Sequence, residues 1–292
     1  MYNSSWLRLQ RKTPQLFSYE DRALYSTWDI SYNHVKQQNE PAAKLLQLWA
    51  YFDNQDVWFE LLKECQRGSL HWFEELTEDQ LSFDESVRVL CDHALVEADI
   101  WLLDSPVESV GYSMHSCVHS WTVHVVNQEW NADMASLALD CVGKHMPDIH
   151  QQNSLVIERR LLRHATRCWE FIVEGSLDSS HREHHLHQFG DVFGNQGRYD
   201  EAEKMYERAL RGKEKAREPD HTSTLDTVNN LGNLYKNLGR YDEAEKMYER
   251  ALRGKEKAWG PDHTSTLATV NNLGFSLSGR FGFMSDSGDV EN

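Results

Sequence analysis

Residues 197–232 read GRYDEAEKMYERALRGKEKAREPDHTSTLDTVNNLG, and residues 239–274 read GRYDEAEKMYERALRGKEKAWGPDHTSTLATVNNLG. The offset is 42 residues, and only three of the 36 aligned positions differ: Arg217/Trp259, Glu218/Gly260 and Asp226/Ala268. Self-similarity at a fixed period of this length signals stacked structural repeats. Each unit reads as two helices. Tyr199, Ala202, Tyr206, Ala209 and Leu210 recur at helical spacing, which makes an apolar stripe. Asp200→Lys204 and Glu207→Arg211 stand at i, i+4 with the acid first, the favourable order on an exposed face. Pro219-Asp220 interrupts the chain, and Leu225, Val228, Leu231, Leu234, Tyr235 and Leu238 then line the second helix. Gly239 ends it with a residue that tolerates left-handed φ. A helix pair of this kind buries its stripe only by stacking on neighbours.

Leu231-Gly232, Tyr235, Ala244, Tyr248 and Ala251 carry a signature, and an earlier copy shows as Phe189-Gly190, Phe193, Ala202, Tyr206 and Ala209. These residues resemble the tetratricopeptide repeat in the 42-residue variety of kinesin light chains. A third copy starts at Leu273-Gly274 and departs into FSLSGRFGFMSDSGDVEN. The expectation is therefore an α-solenoid over residues 181–278, with two full repeats and one further helix, and a disordered tail over 279–292. About three repeats are the usual minimum for a stable stack. The resemblance implies a groove for an extended peptide, and the family's groove positions map to Asn229, Asn233, Lys236, Asn271 and Phe275. An asparagine amide both donates and accepts, so it can hold a peptide backbone without dictating sequence.

Outside the repeats the charge is different. Residues 1–196 hold 15 basic and 29 acidic side chains, whereas residues 197–280 hold 15 and 14. The whole chain of 292 residues has a net charge of −16, which argues against a general nucleic-acid binder or a polybasic membrane anchor. No apolar run approaches the ~18 residues of a transmembrane span. The start, MYNSSWLRLQRKTPQLF, lacks the marks of a signal peptide. The five cysteines are never paired as C-x-x-C, which suits buried thiols in a reducing, cytoplasmic setting.

Residues 20–126 read as helices followed by short strands. Tyr25, Trp28, Ile30, Tyr32 and Val35 fit a first helix, and Pro41 opens a second with Leu45, Leu46, Leu48, Trp49 and Phe52 apolar. Ser82-Phe-Asp-Glu85 reads as a capping box. Leu95-Val96, Ile100–Leu103 and Tyr112–Met114 read as strands. This order describes a winged-helix-like domain with a small β hairpin. Its candidate recognition helix, SVRVLCDHALVEA, offers DNA only Arg88. Ser116 is a plausible N-cap for the helix that follows. Met114-His115-Ser116 resembles the M-H-D motif at the winged-helix end of NB-ARC proteins, the STAND-class nucleotide switches. The stretch 15–278 is similar to the C-terminal part of the NB-ARC–tetratricopeptide proteins common in filamentous fungi. The resemblance implies that His115 would contact bound ADP. The chain has no G-x-x-x-x-G-K-[ST] loop, so no cofactor is expected unless a nucleotide-binding domain lies upstream. Residues 1–19 read as linker or disorder, and residues 127–180 as a helical connector.

The mainly α chain is thus expected to be a non-enzymatic protein-interaction module with a protein or peptide partner. Nucleic acid and membrane are not expected partners, and self- or hetero-association would run through stacked repeats. One alternative is an ADP/ATP-binding STAND NTPase whose nucleotide domain lies outside this chain. Another is a cargo adaptor of the kinesin light chain type. His181, His184, His185 and His187 cluster without zinc-ligand spacing, so no metal is expected. His184 and Asp191 are placed to face one groove.

Overall fold

The computed structural model describes residues 19–65, 70–99, 109–147, 154–179, 181–217 and 219–286, with side chains described from residue 25 to residue 280. The chain divides into two compact units, Met1–Cys141 and Val142–Asn292.

In the first unit α1 (Tyr19–Gln38), α2 (Glu40–Trp49), α3 (Phe59–Lys63), α4 (His71–Leu76) and α5 (Gln80–Asp92) precede a two-stranded antiparallel hairpin. α2 starts where the sequence suggests: the Asn39 side chain accepts from the Ala42 N–H at 2.8 Å, and Pro41 sits in the first turn, where its missing N–H costs nothing. The side chains of Trp49, Phe52, Trp58, Phe73 and Phe83 are fully buried. At ~25 cal/mol per Å2 such large rings contribute strongly to this unit's apolar burial.

Two expectations need correction here. α5 begins at Gln80, not after Ser82, because the Asp79 carboxylate accepts from the Ser82 N–H at 2.8 Å. A carboxylate also favours the positive end of the helix dipole, and this hydrogen bond holds the Asp79 carboxyl below the usual range. Ser82 is then an interior residue. The hairpin pairs β1 (Glu97–Ala98) with β2 (Tyr112–Ser113) in the register Glu97↔Ser113 and Ala98↔Tyr112. Leu95 and Val96, expected in a strand, are buried just before it. The expected strand at Ile100–Leu103 lies outside the described residues. Val57 bridges the other side of Tyr112, so β2 is bonded on both edges. After β2 come α6 (Ser116–Trp121), a π-helical turn over Thr122–Val126 and α7 (Ala132–Lys144). The fully buried Trp121 donates its indole N–H to Asp29 on α1 at 3.2 Å.

The second unit holds α8 (Ser154–Val173), then α9 (Glu183–Asn195), α10 (Tyr199–Ala216), α11 (Thr222–Asn237), α12 (Tyr241–Trp259) and α13 (Thr264–Asp286). The two connector patterns of the sequence are α7 and α8. Within the repeats α9 packs on α10 and α11 on α12, and α13 packs on α12. Gly197 and Gly239 end α9 and α11 with φ of +74° and +73°, which lets the chain reverse into the next helix. At the same register the third copy has Phe281. There α13 runs on to Asp286, past residue 278. Arg280 ties it to Asp242 and Glu245 of α12 at 3.0 and 3.1 Å.

Arginines at the start of each second helix join the layers. Arg198 donates to Glu201 at 2.9 Å and to Thr166 of α8 at 2.8 Å. Its copy, Arg240, donates to Glu243 and to Glu203 of α10 at 2.7 and 2.8 Å. Both guanidinium groups lie over rings, of Phe193 and Tyr235, at 4.3 Å. The exposed pairs Glu207–Arg211 and Glu249–Arg253 also form, at 3.6 and 3.8 Å. At such exposure each contributes little.

Candidate functional site

The 42-residue register aligns three sets of residues: His187, Asn229 and Asn271; Asp191, Asn233 and the apolar Phe275; and, for two copies, Asn195 and Asn237. Between α9, α10 and α11 lies a cleft of about 250 Å3 lined by Asp191, Asn195, Tyr199, Tyr206, Asn230, Asn233 and Asn237, with Gly194 and Leu234. Asp191 is the only charged residue among those lining it.

The floor of the cleft is a hydrogen-bonded network. Asp191 Oδ1 accepts from the Tyr206 hydroxyl at 2.6 Å and from the Asn230 amide at 2.8 Å. Burial raises the Asp191 carboxyl above its usual range against these two donors. Burial, with the negative Asp191 beside it, also raises the Tyr206 phenol, so it stays a donor. His187 Nε2 lies 3.5 Å from Asp191 Oδ2, and its Nδ1 is 3.1 Å from Thr227 Oγ1. Burial, then the nearby Lys213, hold His187 down to about 3, so it is neutral near pH 7. Lys213 Nζ donates to Thr227 Oγ1 at 2.8 Å and to the Ser223 carbonyl at 3.0 Å. Burial takes its ammonium down to about 8, with Asp226 and Asp191 opposing the shift. His187 is thus the histidine in contact with Asp191, one turn away on the same helix, and His184 acts on Asp191 only through its charge.

The second copy repeats this layout with amides. Tyr248 donates to Asn233 Oδ1 at 2.8 Å. Asn229 Oδ1 accepts from Thr269 at 3.1 Å and from Asn272 at 3.5 Å. Lys255, like Lys213, is buried, and it pairs with Asp226 at 3.1 Å.

Of the residues singled out in the sequence, Asn233 lines the cleft. Asn229 is half-buried and joins α11 to α13. Lys236 is half-buried on α11, and Asn271 and Phe275 are exposed on α13, where Phe275 is 70 % accessible. These three are not among the cleft residues. The sequence reading missed Asn195, Asn230, Asn237 and Tyr206 as a group; of these, sliding 187–195 onto 229–237 pairs only Asn195 with Asn237. His115 is exposed, and its Nδ1 accepts from the Cys117 N–H at 3.2 Å. It, and not Ser116, caps α6, because Ser116 already has helical geometry. His221 and His263 accept in the same way from Ser223 and Ser265. Among the described residues no group of three His, Cys, Asp or Glu side chains could hold a metal ion. Nor is any helix among them long and apolar enough to cross a membrane.

No curated protein matches the chain. Two solved structures are similar over most of its length. One is a variant, with methionine in place of a glutamine, of a Podosopora anserina chain named for kinesin light chain and its nearly identical TPR-like repeats. It is 14 % identical, with a TM-score of 0.43 over 85 % of this chain and 91 % of that one. The other is that chain without the substitution, at 14 % identity and a TM-score of 0.42 over 78 % and 87 %. The tetratricopeptide repeat family matches residues 182–257 and 227–281. With the paired helices, the glycine turns and the 42-residue register already in place, residues 182–281 are tetratricopeptide repeats.

Proposed function

We propose that the chain is a non-enzymatic protein-interaction module whose repeats hold an extended peptide in the cleft between α9 and α11. The observation that carries this reading is the set of four asparagines, Asn195, Asn230, Asn233 and Asn237, around one cleft. Each amide can donate to a peptide carbonyl and accept from a peptide N–H. Asn237 is exposed, so its substitution leaves the floor of the cleft intact. Asn229, whose carbonyl bonds α13, supports the stack that shapes the cleft, and Lys236, Asn271 and Phe275 would extend contact toward the end of the array.

The test is selection of random peptides on the full-length chain, followed by fluorescence anisotropy of the enriched sequences. Asn237→Ala is expected to weaken them about fivefold, the worth of one hydrogen bond, with unchanged thermal unfolding. Equal binding by the variant, or no enrichment at all, refutes the reading.

For the first unit we propose the winged-helix-like end of an NB-ARC switch over 20–126, followed by the connector over 127–180. Support comes from the helix–hairpin–helix order and from His115 at the junction of β2 and α6. In such a protein, peptide capture by the repeats would be the signal, and His115 would face the nucleotide of a separate domain.

A further inference from the structure

The cleft is chemically uneven along the repeat register. At one and the same position the first copy has Asp191, the second Asn233 and the third Phe275. The tyrosine beneath is identical in the first two copies and donates to each, at 2.6 Å to Asp191 and 2.8 Å to Asn233. An amide therefore satisfies this register, and the backbone does not require a charge there. The aspartate adds a negative charge to a cleft that has no cationic side chain in its lining. The Tyr206 and Asn230 donors to Asp191 both use Oδ1, and among the described residues Oδ2 stands 3.5 Å from His187 Nε2. Lys213 stands behind His187 and is already bonded to Thr227 and Ser223.

A second carboxylate lies close by. Glu158 of α8 is 2 % exposed, its Oε2 has no hydrogen-bond partner, and its side chain bonds that of the cleft residue Asn195. Its charge and that of Asp191 act on one another unfavourably. Glu158, buried with one oxygen left unmatched, carries a desolvation cost that a nearby cation would offset.

We propose that the cleft takes the cationic side chain of a bound peptide, an arginine or a lysine, against the Asp191 carboxylate, with Glu158 adding its field from behind Asn195. The proposal rests on the peptide-binding reading above and specifies what that peptide carries. The asparagines hold its backbone, and the carboxylate selects one side chain. A charge-assisted hydrogen bond in a partly buried cleft is about twice as strong as a neutral one, so the charge acts here as the specificity element.

The test uses the full-length chain and three blocked pentapeptides, alanine throughout except for a central arginine, citrulline or glutamate. Nitrogen-15 spectra follow the side-chain amides of Asn195, Asn230, Asn233 and Asn237 as each peptide is added. The arginine peptide is expected to bind about tenfold tighter than the citrulline peptide, and the glutamate peptide not to bind. Asp191→Asn, the residue that the second copy already accommodates, should keep the unfolding temperature and remove the preference for arginine. Equal binding of arginine and citrulline peptides overturns the charge assignment and leaves the groove standing. A preference that survives Asp191→Asn also overturns it, because the cation then sits elsewhere. No response of the amides to any peptide overturns both readings.

Discussion

Gly232 and Gly274 occupy the same place in successive copies of a nearly identical helix, yet alanine should act on them with opposite sign. A Cβ on Gly232 would lie 2.7 and 2.8 Å from Cε1 and Cδ1 of Tyr248. That ring is fully buried, and its hydroxyl is anchored on Asn233, so it has no room to swing away. Overpacking of this kind costs roughly 1–3 kcal/mol. Alanine for glycine inside a helix returns about 1 kcal/mol. Gly232→Ala should therefore destabilise by roughly 0–2 kcal/mol. Around Gly274 nothing lies within 4 Å of the added carbon, and among the described residues no further helix covers that face of α13. Gly274→Ala keeps only the helical gain and should stabilise by up to about 1 kcal/mol. The propensity part is common to both, so the gap between the variants, roughly 1–3 kcal/mol, measures the clash alone. Gly190, 2.6 Å from the Tyr206 ring, provides a second closed case and should behave like Gly232. Urea unfolding followed by circular dichroism reads each midpoint, and an unchanged m-value confirms that the same surface unfolds. If Gly232→Ala and Gly274→Ala shift the midpoint by the same amount in the same direction, close approach is not what glycine provides, and the packing argument fails.

Two further predictions use the same measurement. His187 is held near 3 in the folded chain against about 6.5 when unfolded, so the unfolded state takes up the proton first as pH falls. The wild type should lose on the order of 2 kcal/mol from this group between pH 7 and pH 5. Asp191, raised by burial, opposes part of that loss. His187→Asn, the residue of the next copy, should flatten the fall in urea midpoint over that range, and an unaltered fall would show that His187 is not the group responsible. Asp79→Ala should cost about 1 kcal/mol as a lost cap, while Ser82→Ala should stay within about 0.5 kcal/mol. The reverse order would return the start of α5 to Ser82.

How much of this was legible depended on whether the interaction lies within a copy or between copies. The helix pairs could be read because the apolar positions of 197–232 recur 42 residues later, and the glycine turns because Gly197 and Gly239 repeat with them. Local rules did less well at helix starts. Asp79 and Ser82 are both good caps, only three residues apart, and propensity alone does not choose between them. His115 was hidden for a different reason: histidine is an unusual cap, and only the position of Nδ1 against the Cys117 N–H reveals it. The cleft was half legible. Asn233 was named from the resemblance to tetratricopeptide repeats, but the roles of Asp191, Asn230 and Tyr206 come from bonds that cross between α9, α10 and α11, with partners 15 and 39 residues away in sequence. No window of the chain contains such a set.

The two lysines show why duplication of sequence does not duplicate chemistry. Lys213 and Lys255 occupy one register in nearly identical helices, and both are buried. Lys213 is bound by neutral oxygens of Thr227 and Ser223, whereas Lys255 reaches the carboxylate of Asp226. The difference lies in the helix that precedes each one, where the register of Asp226 holds His184 in the first copy. Burial lowers the ammonium of Lys213 to about 8. Each repeat contacts only its neighbours, so the environment of a residue is set by its own copy and by those on either side. In a short array no two copies then share the same surroundings. Selection can keep the helix faces constant for stacking and still place a carboxylate, an amide and a phenylalanine at successive steps of one groove. The constant positions specify the fold, and the few variable ones decide what the groove can hold.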